Sequence, residues 1–313
     1  MSDTGADIRI MASGLRFPEG PVAMADGSVI LGEIAGGAVT RVAPVAMAGG
    51  SKTEIGKAGG GPNGLALGPD GALYVCNNGG AVYETTPSFL STGPAPDYAG
   101  GSIQRIDLKT GATRTLYSQC NGHKLSAPND IVFDKQGGFY FTDLGKRLAR
   151  HRDNGGLYYA LPDGSKIVEL VYPIITPNGV GLSPDESVVY VADTETSRLF
   201  AFDIVEPGVV KKEPFPSPYG GRLICGLSGF QRFDSLAVEA SGNICVATLI
   251  TGHITVISPA GQVVRQVKVP DVYPTNICFG GPQLRTAYIT LSASGQLAAM
   301  EWPEPGLKLN FMA

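Results

Sequence analysis

The sequence predicts an all-β protein: a six-bladed β-propeller with four-stranded blades. Three observations carry that expectation. Turn formers are dense, with 43 Gly and 23 Pro among 313 residues, while 43% of the chain is apolar. That suits many short strands around a core and excludes a helical bundle. Six segments repeat one hairpin pattern, a polar residue, an apolar strand, a Gly/Asp/Pro turn and a second strand. Their first residues stand at 19, 63, 129, 178, 234 and 275, mostly at the spacing of propeller blades.

Taken in order, the hairpins run from Glu19 to Glu33, Asn63 to Asn77, Asn129 to Asp143, Asn178 to Asp193, Asp234 to Thr248 and Thr275 to Thr290. Each alternates apolar and polar residues on both sides of its turn. Four keep an identical length, and the fourth and sixth are one residue longer, where their turns lengthen. In the sixth, Asn276 competes with Thr275 for the first position. Outer hairpins follow at Ser102–Tyr117, Gly156–Leu170 and His253–Val267. The last repeat has only Gly295–Trp302 as a third strand. The N-terminal Asp7–Ala12 is expected to supply its missing outer strand and close the ring. The whole chain, 1–313, then reads as one propeller domain.

In a propeller the innermost strands run the same way along a central channel, so their first residues meet at one mouth. The second strands return antiparallel and end at that same face. Two polar rings result. The inner ring is Glu19, Asn63, Asn129, Asn178, Asp234 and Thr275, and the outer ring is Glu33, Asn77, Asp143, Asp193, Thr248 and Thr290. The inner ring offers only oxygen donors, with two carboxylates that would repel each other without a cation. Hard oxygen ligands suit one divalent ion, Ca²⁺ or Mg²⁺ ahead of Zn²⁺. Turn chemistry alone accounts for Asn and Asp at a strand start but not for Glu19, since Glu is a poor turn residue.

Five motifs together resemble the gluconolactonase/regucalcin family, also called the senescence-marker-protein family, over essentially the whole chain. They are FPEGP (Phe17–Pro21), APND (Ala127–Asp130), TPNG (Thr176–Gly179), FDSLAVEASGN (Phe233–Asn243) and TNICFGG (Thr275–Gly281). The resemblance implies a six-bladed propeller with one catalytic divalent ion at the channel mouth. It assigns that ion to Glu19, Asn129, Asn178 and Asp234, and the related diisopropyl-fluorophosphatases use a similar set. Sugar-lactone members of the regucalcin type carry an Arg two residues before the asparagine matching Asn129. Here that position is Ala127, which argues for a less hydroxylated substrate.

The expected activity is metal-dependent opening of a lactone. Asp234 is the expected general base, Asn129 holds the ion and orients the carbonyl, and Asp143 is the reserve base. Ca²⁺ leads as the ion, with Mg²⁺, Mn²⁺ or Zn²⁺ able to substitute. Two rivals use the same site: phosphotriester hydrolysis, and a non-catalytic module locked by a structural ion. Substrate contacts are expected from Asn63 and from long connections on the same face. The connection 78–101 carries Tyr83, Phe89 and Tyr98; 144–155 carries Lys146, Arg147 and His151; and His123 lies in 118–126.

The composition argues against other classes. The charge sum, 24 basic against 28 acidic residues, gives −4 with only 17% charged residues. With no basic run, nucleic acid is not an expected partner. No apolar stretch reaches the ~18–20 residues of a membrane helix. The N-terminus lacks the features of a secretory signal, and the five cysteines show no C-x-x-C pair. A cytoplasmic protein with reduced thiols is expected. The histidines, His123, His151 and His253, have no metal-ligand spacing.

Overall fold

Strand formation follows the repeated pattern closely in the computed structural model, which describes residues 7–44, 50–85 and 90–312. Blade 1 is built from Pro18–Ala23, Val29–Glu33, Ala38–Val42 and Lys52–Lys57, paired in that order. Blade 2 uses Pro62–Leu67, Leu73–Asn77, Ser102–Ile106 and Thr113–Tyr117, and blade 3 uses Pro128–Phe133, Phe139–Asp143, Gly155–Ala160 and Ile167–Ile174. Blade 4 comprises Pro177–Leu182, Val188–Asp193, Arg198–Glu206 and Arg222–Gly226. Blade 5 comprises Arg232–Val238, Ile244–Leu249, His253–Ile257 and Val263–Lys268. The inner strands contact one another in sequence, and the sixth returns to the first. The result is a six-bladed β-propeller with no α-helix among the described residues.

The ring closes as the sequence suggests. Blade 6 contains Pro274–Gly280, Thr286–Leu291 and Gln296–Glu301, and its outer strand is the N-terminal Arg9–Ala12. Arg9 pairs with Ala299 and Ile10 with Ala298, antiparallel. Joining the two ends of the chain in one blade leaves no gap in the ring.

The apolar alternation expected of each hairpin gives way in the second strands. Leu73–Asn77 and Phe139–Asp143 are buried at every position. A blade is sandwiched between two neighbours, so both faces of its central strands lie in core. Six apolar clusters result, each shared by adjacent blades. Between blades 1 and 2, for example, Ile30 and Val39 meet Leu65, Leu73 and Val75. Tyr74, Phe133 and Phe139 interlock between blades 2 and 3 at centroid distances of 5.0–5.8 Å.

One end of the channel is covered. The C-terminal segment crosses it, with Leu307 N–H donating to Val238 O (2.8 Å) and Asn310 Nδ2 donating to Phe133 O (3.1 Å). Leu307 and Leu309 line the channel from that side. The polar rings lie at the other mouth. Among the described residues no helix is long and apolar enough to cross a membrane. All five cysteines are free.

Candidate active site

The register places the first residue of each hairpin in or at the edge of a bulge. Pro18 pairs with Glu33 and Glu19 with Gly32, and pairing resumes only at Val22 with Ile30. Equivalent shifts follow Pro62, Pro128, Pro177 and Phe233. A bulge bends the strand and re-aims a side chain. Here it brings Glu19, Asn63, Asn129, Asn178 and Asp234 to the floor of a cleft of about 980 Å³. The proline before four of the five removes a backbone N–H at a point where the ladder is already interrupted.

Glycine at the following position lets the inner strands approach. Gly20 has φ +54, and a methyl group there would lie 2.2 Å from Asn63 O. At Gly179 it would stand 2.8 Å from Asp234 O. These contacts hold neighbouring floor residues close together across blade boundaries.

All five floor side chains are buried, none more than 7% exposed. Asn63 Oδ1 and Asn129 Oδ1 have no hydrogen-bond partner among the described residues. Asn178 Oδ1 accepts from Ser235 Oγ at 3.2 Å. Glu19 accepts from Gly20 N–H (3.1 Å), and burial lifts its carboxyl to about 8. Asp234 is also pushed well above the ordinary carboxylate range, first by burial and then by the negative charge of Glu19. The adjacent Asp130 lies just below the floor, with burial raising it to about 7. It accepts from Ile131 N–H (3.0 Å) and Val180 N–H (3.2 Å). Three buried carboxyl groups and two orphaned amide oxygens are costly without a cation. Among the described residues no three His, Cys, Asp or Glu side chains form a metal centre. This floor instead mixes carboxylates with carboxamides, a donor set suited to a hard divalent ion.

The walls come from the connections. A hairpin of Ala81–Glu84 and Leu90–Pro94 stands over one side, and residues Leu144 to Ala149 form another. Tyr83, from the hairpin, faces the floor: its ring centroid is 5.0 Å from that of Phe17. Burial and the charges of Glu19 and Asp234 raise its phenol, which holds it neutral. Ala127 is buried in the wall beside Asn129.

The sequence model of the family described as SMP-30/Gluconolactonase/LRE-like region matches residues 17–293. The chain belongs to that family. It is similar to lactonase drp35 of Staphylococcus saprophyticus, 29% identical over 209 residues, covering 67% of this chain and 57% of that protein. Lactonase drp35 of Staphylococcus aureus is 30% identical over 214 residues, with the same coverage. The match thus spans little more than half the length of these curated relatives. The fold is also that of a gluconolactonase from Xanthomonas campestris (TM-score 0.73, 20% identity, 96% of this chain and 91% of that one). A calcium-binding protein, regucalcin, from Agrobacterium tumefaciens gives 0.73 at 17% identity, over 97% and 98% of the two chains.

Within this SMP-30/gluconolactonase-like chain, several residues expected near substrate lie elsewhere. Asp143 does not reach the cleft: its carboxylate accepts from the N–H groups of Ser126 (2.7 Å), Ala127 (2.7 Å) and Gly145 (2.9 Å). Tyr98 donates to Ser126 O (2.7 Å) behind the wall. His123 is exposed on a two-residue strand, and His151 is exposed in a turn. Of the connection candidates, Arg147 lines the cleft, as do Tyr83 and Lys146. Phe89 lies outside the described residues. Thr275 is buried but bonded to Thr290 Oγ1 (2.9 Å) and Ser292 Oγ, and it supports Glu19 from blade 6. Asp130, part of the APND motif, received no role from sequence because its contacts come from blades 4 and 5.

Proposed function

We propose that this protein, one propeller domain, is a divalent-metal-dependent hydrolase that opens a lactone ring. The observation that carries this reading is the cleft floor. Two carboxyl groups, Glu19 and Asp234, converge there with two buried amide oxygens that nothing among the described residues satisfies. The family membership and the lactonase names of the relatives support the substrate class.

Glu19, Asn129, Asn178 and Asp234 would hold the ion, and Asn63 has the same unpartnered oxygen as Asn129. Regucalcin's description as calcium-binding supports Ca²⁺ as the resident ion, with Mg²⁺, Mn²⁺ or Zn²⁺ able to replace it. When bound, the ion supplies Lewis acidity toward an ester carbonyl and charge stabilisation for the developing oxyanion. Asp234, ionised when the site is occupied, takes the proton of the attacking water. Asn129 orients the carbonyl edge of the substrate. Phe17 and Tyr83 form an aromatic wall that excludes water from one side of the cleft. Ala127 leaves no guanidinium in the wall beside Asn129, which favours a lactone with few hydroxyl groups.

The test is a pH-indicator screen of γ- and δ-lactones and phosphotriesters, with and without chelator, alongside metal analysis of natively purified protein. Chelator-sensitive lactone turnover with one divalent ion per chain is expected. Phosphotriester turnover alone would reassign the chemistry. Turnover of neither class by the metal-loaded protein would leave the ion a structural role.

A further inference from the structure

Lys146 is a buried lysine without a carboxylate within ion-pair distance among the described residues; it is 9% exposed. Lysine is rarely buried unless paired. Its ammonium instead donates to Asn78 O (3.0 Å) and Gly80 O (2.9 Å) and sits 4.4 Å from the Tyr98 ring centroid. All three partners belong to the connection that carries the Ala81–Glu84 and Leu90–Pro94 hairpin, whereas Lys146 belongs to blade 3. Asn78 and Gly80 lead directly into the hairpin's first strand. Tyr98 closes the arrangement by bonding back to Ser126 O on the blade 3 side.

We propose that Lys146 is a positioning residue that fixes the Ala81–Pro94 hairpin, and with it Tyr83, over the cleft floor. The hairpin's own ladder cannot do this, because a two-stranded ribbon is marginal by itself. Other bonds at its base run within the connection, Gly80 N–H to Asn78 Oδ1 (2.9 Å) and Ala95 N–H to Gly80 O (3.3 Å), or back to the segment entering blade 2, Asn78 N–H to Gly61 O (2.9 Å). Tyr98 and Lys146 tie it to blade 3, and Lys146 is the tie that reaches the carbonyls leading into the hairpin's first strand. The charge-assisted bonds to two carbonyls and the aromatic face offset its desolvation. An aliphatic side chain of equal length would fill the space but leave Asn78 O unpartnered and Gly80 O with only the long bond from Ala95 N–H (3.3 Å), so the hairpin base would open to regain water. Tyr83 would then leave Phe17, and substrate would lose a wall while the floor stayed intact. Arg147, the next residue, lines the cleft mouth, so the same short strand contributes to the wall directly.

This inference rests on the cleft being the substrate site, so its test includes a measurement that needs no substrate. Amide hydrogen exchange is followed for Ala81–Glu84 in the full-length protein and in Lys146→Met. The variant should exchange about tenfold faster there, with blades 4 to 6 unchanged. In lactone assays at saturating metal, KM should rise about tenfold while kcat and metal affinity change little, since positioning is lost and the chemical groups are not. Lys146→Arg keeps the charge and both donors and should recover part of each loss. Unchanged exchange in a folded Lys146→Met would overturn the proposal, as would faster exchange confined to 144–155. If no lactone is turned over by any variant, the exchange result still decides the pin, and only the activity reading falls. If Lys146→Met does not fold, Lys146→Arg and Tyr98→Leu decide it: Tyr98→Leu removes the aromatic face and should loosen Ala81–Glu84, and neither variant changing exchange there would count against the pin.

Discussion

The inner and outer polar rings end the same hairpins, use the same residue types and are both buried apart from the half-buried Glu33, yet only one is a site. In the outer ring every group is satisfied by the protein. Glu33 accepts from Arg16 N–H (2.7 Å) and Thr40 Oγ1 (2.6 Å). Asn77 accepts from Gly61 and Gly79 N–H, each at 3.0 Å, and donates to Gly59 O (2.9 Å). Asp143 takes three N–H groups, and Asp193 takes Thr176 Oγ1 at 2.6 Å. These residues brace the segment that enters the inner strand of their own blade. One strand inward, Asn63 and Asn129 face the cleft with oxygens unpartnered among the described residues, beside carboxyl groups that burial pushes above the ordinary carboxylate range. Buried polarity is therefore a poor marker of function here, and the missing partner is the better one.

The sharpest way to break this contrast is to remove one charge from each ring. Asp234→Asn should lower kcat by roughly 10²–10⁴ at saturating metal, the usual contribution of a positioned base. Asp143→Asn should leave kcat of the folded protein near its normal value and lower stability by about 1–3 kcal/mol, as a backbone N–H loses its acceptor. Steady-state kinetics with metal occupancy on the same samples, plus thermal melts, check both. A larger kcat loss at Asp143 would reverse the assignment of the rings.

Glu19→Gln separates holding the ion from moving the proton. It keeps the base and removes a ligand charge, so excess metal should restore most of the rate. If Asp234→Asn is rescued as fully as Glu19→Gln, Asp234 is a ligand only.

The pH dependence of the metal-free protein sharpens the same contrast. Glu19 sits at about 8 and Asp130 at about 7 in the folded protein, against ordinary values of 4.5 and 3.8. Across that window these groups bind protons in the folded state and not in the unfolded one. Stability must then fall as pH rises from about 4 toward 8. Thermal melts with chelator should show that decline, and saturating Ca²⁺ should remove it by favouring the ionised floor. A flat profile in chelator would show that the floor carboxyl groups are not raised.

A smaller effect separates the carboxamides. In the metal-free protein Asn77→Leu should cost about 2–4 kcal/mol because several backbone groups lose partners, whereas Asn129→Leu should cost under about 1 kcal/mol. Adding metal should then stabilise wild type more than Asn129→Leu. The smallest expected difference is selectivity: simple γ- and δ-lactones should exceed gluconolactone in kcat/KM, in keeping with Ala127 and the aromatic wall. A clear preference for the sugar lactone would place hydroxyl recognition elsewhere in the cleft.

The amino-acid sequence by itself determined the six blades, the closure by residues 7–12 and the identity of the residues at the channel mouth. Those features rest on local periodicity, turn chemistry and repeat spacing, which need no knowledge of distant contacts. The tertiary structure alone decided which polar groups go unpaired. Asn77 and Asn129 are both asparagines at the mouth-facing ends of blade strands, and only the neighbouring chain shows that one is surrounded by donors and the other by open cleft. The same holds for Asp130, whose surroundings come from blades 4 and 5, and for Lys146, whose acceptors lie about 70 residues earlier in the chain. A side chain's hydrogen-bond partners are set by long-range packing, so a local reading finds the candidates and the fold sorts them.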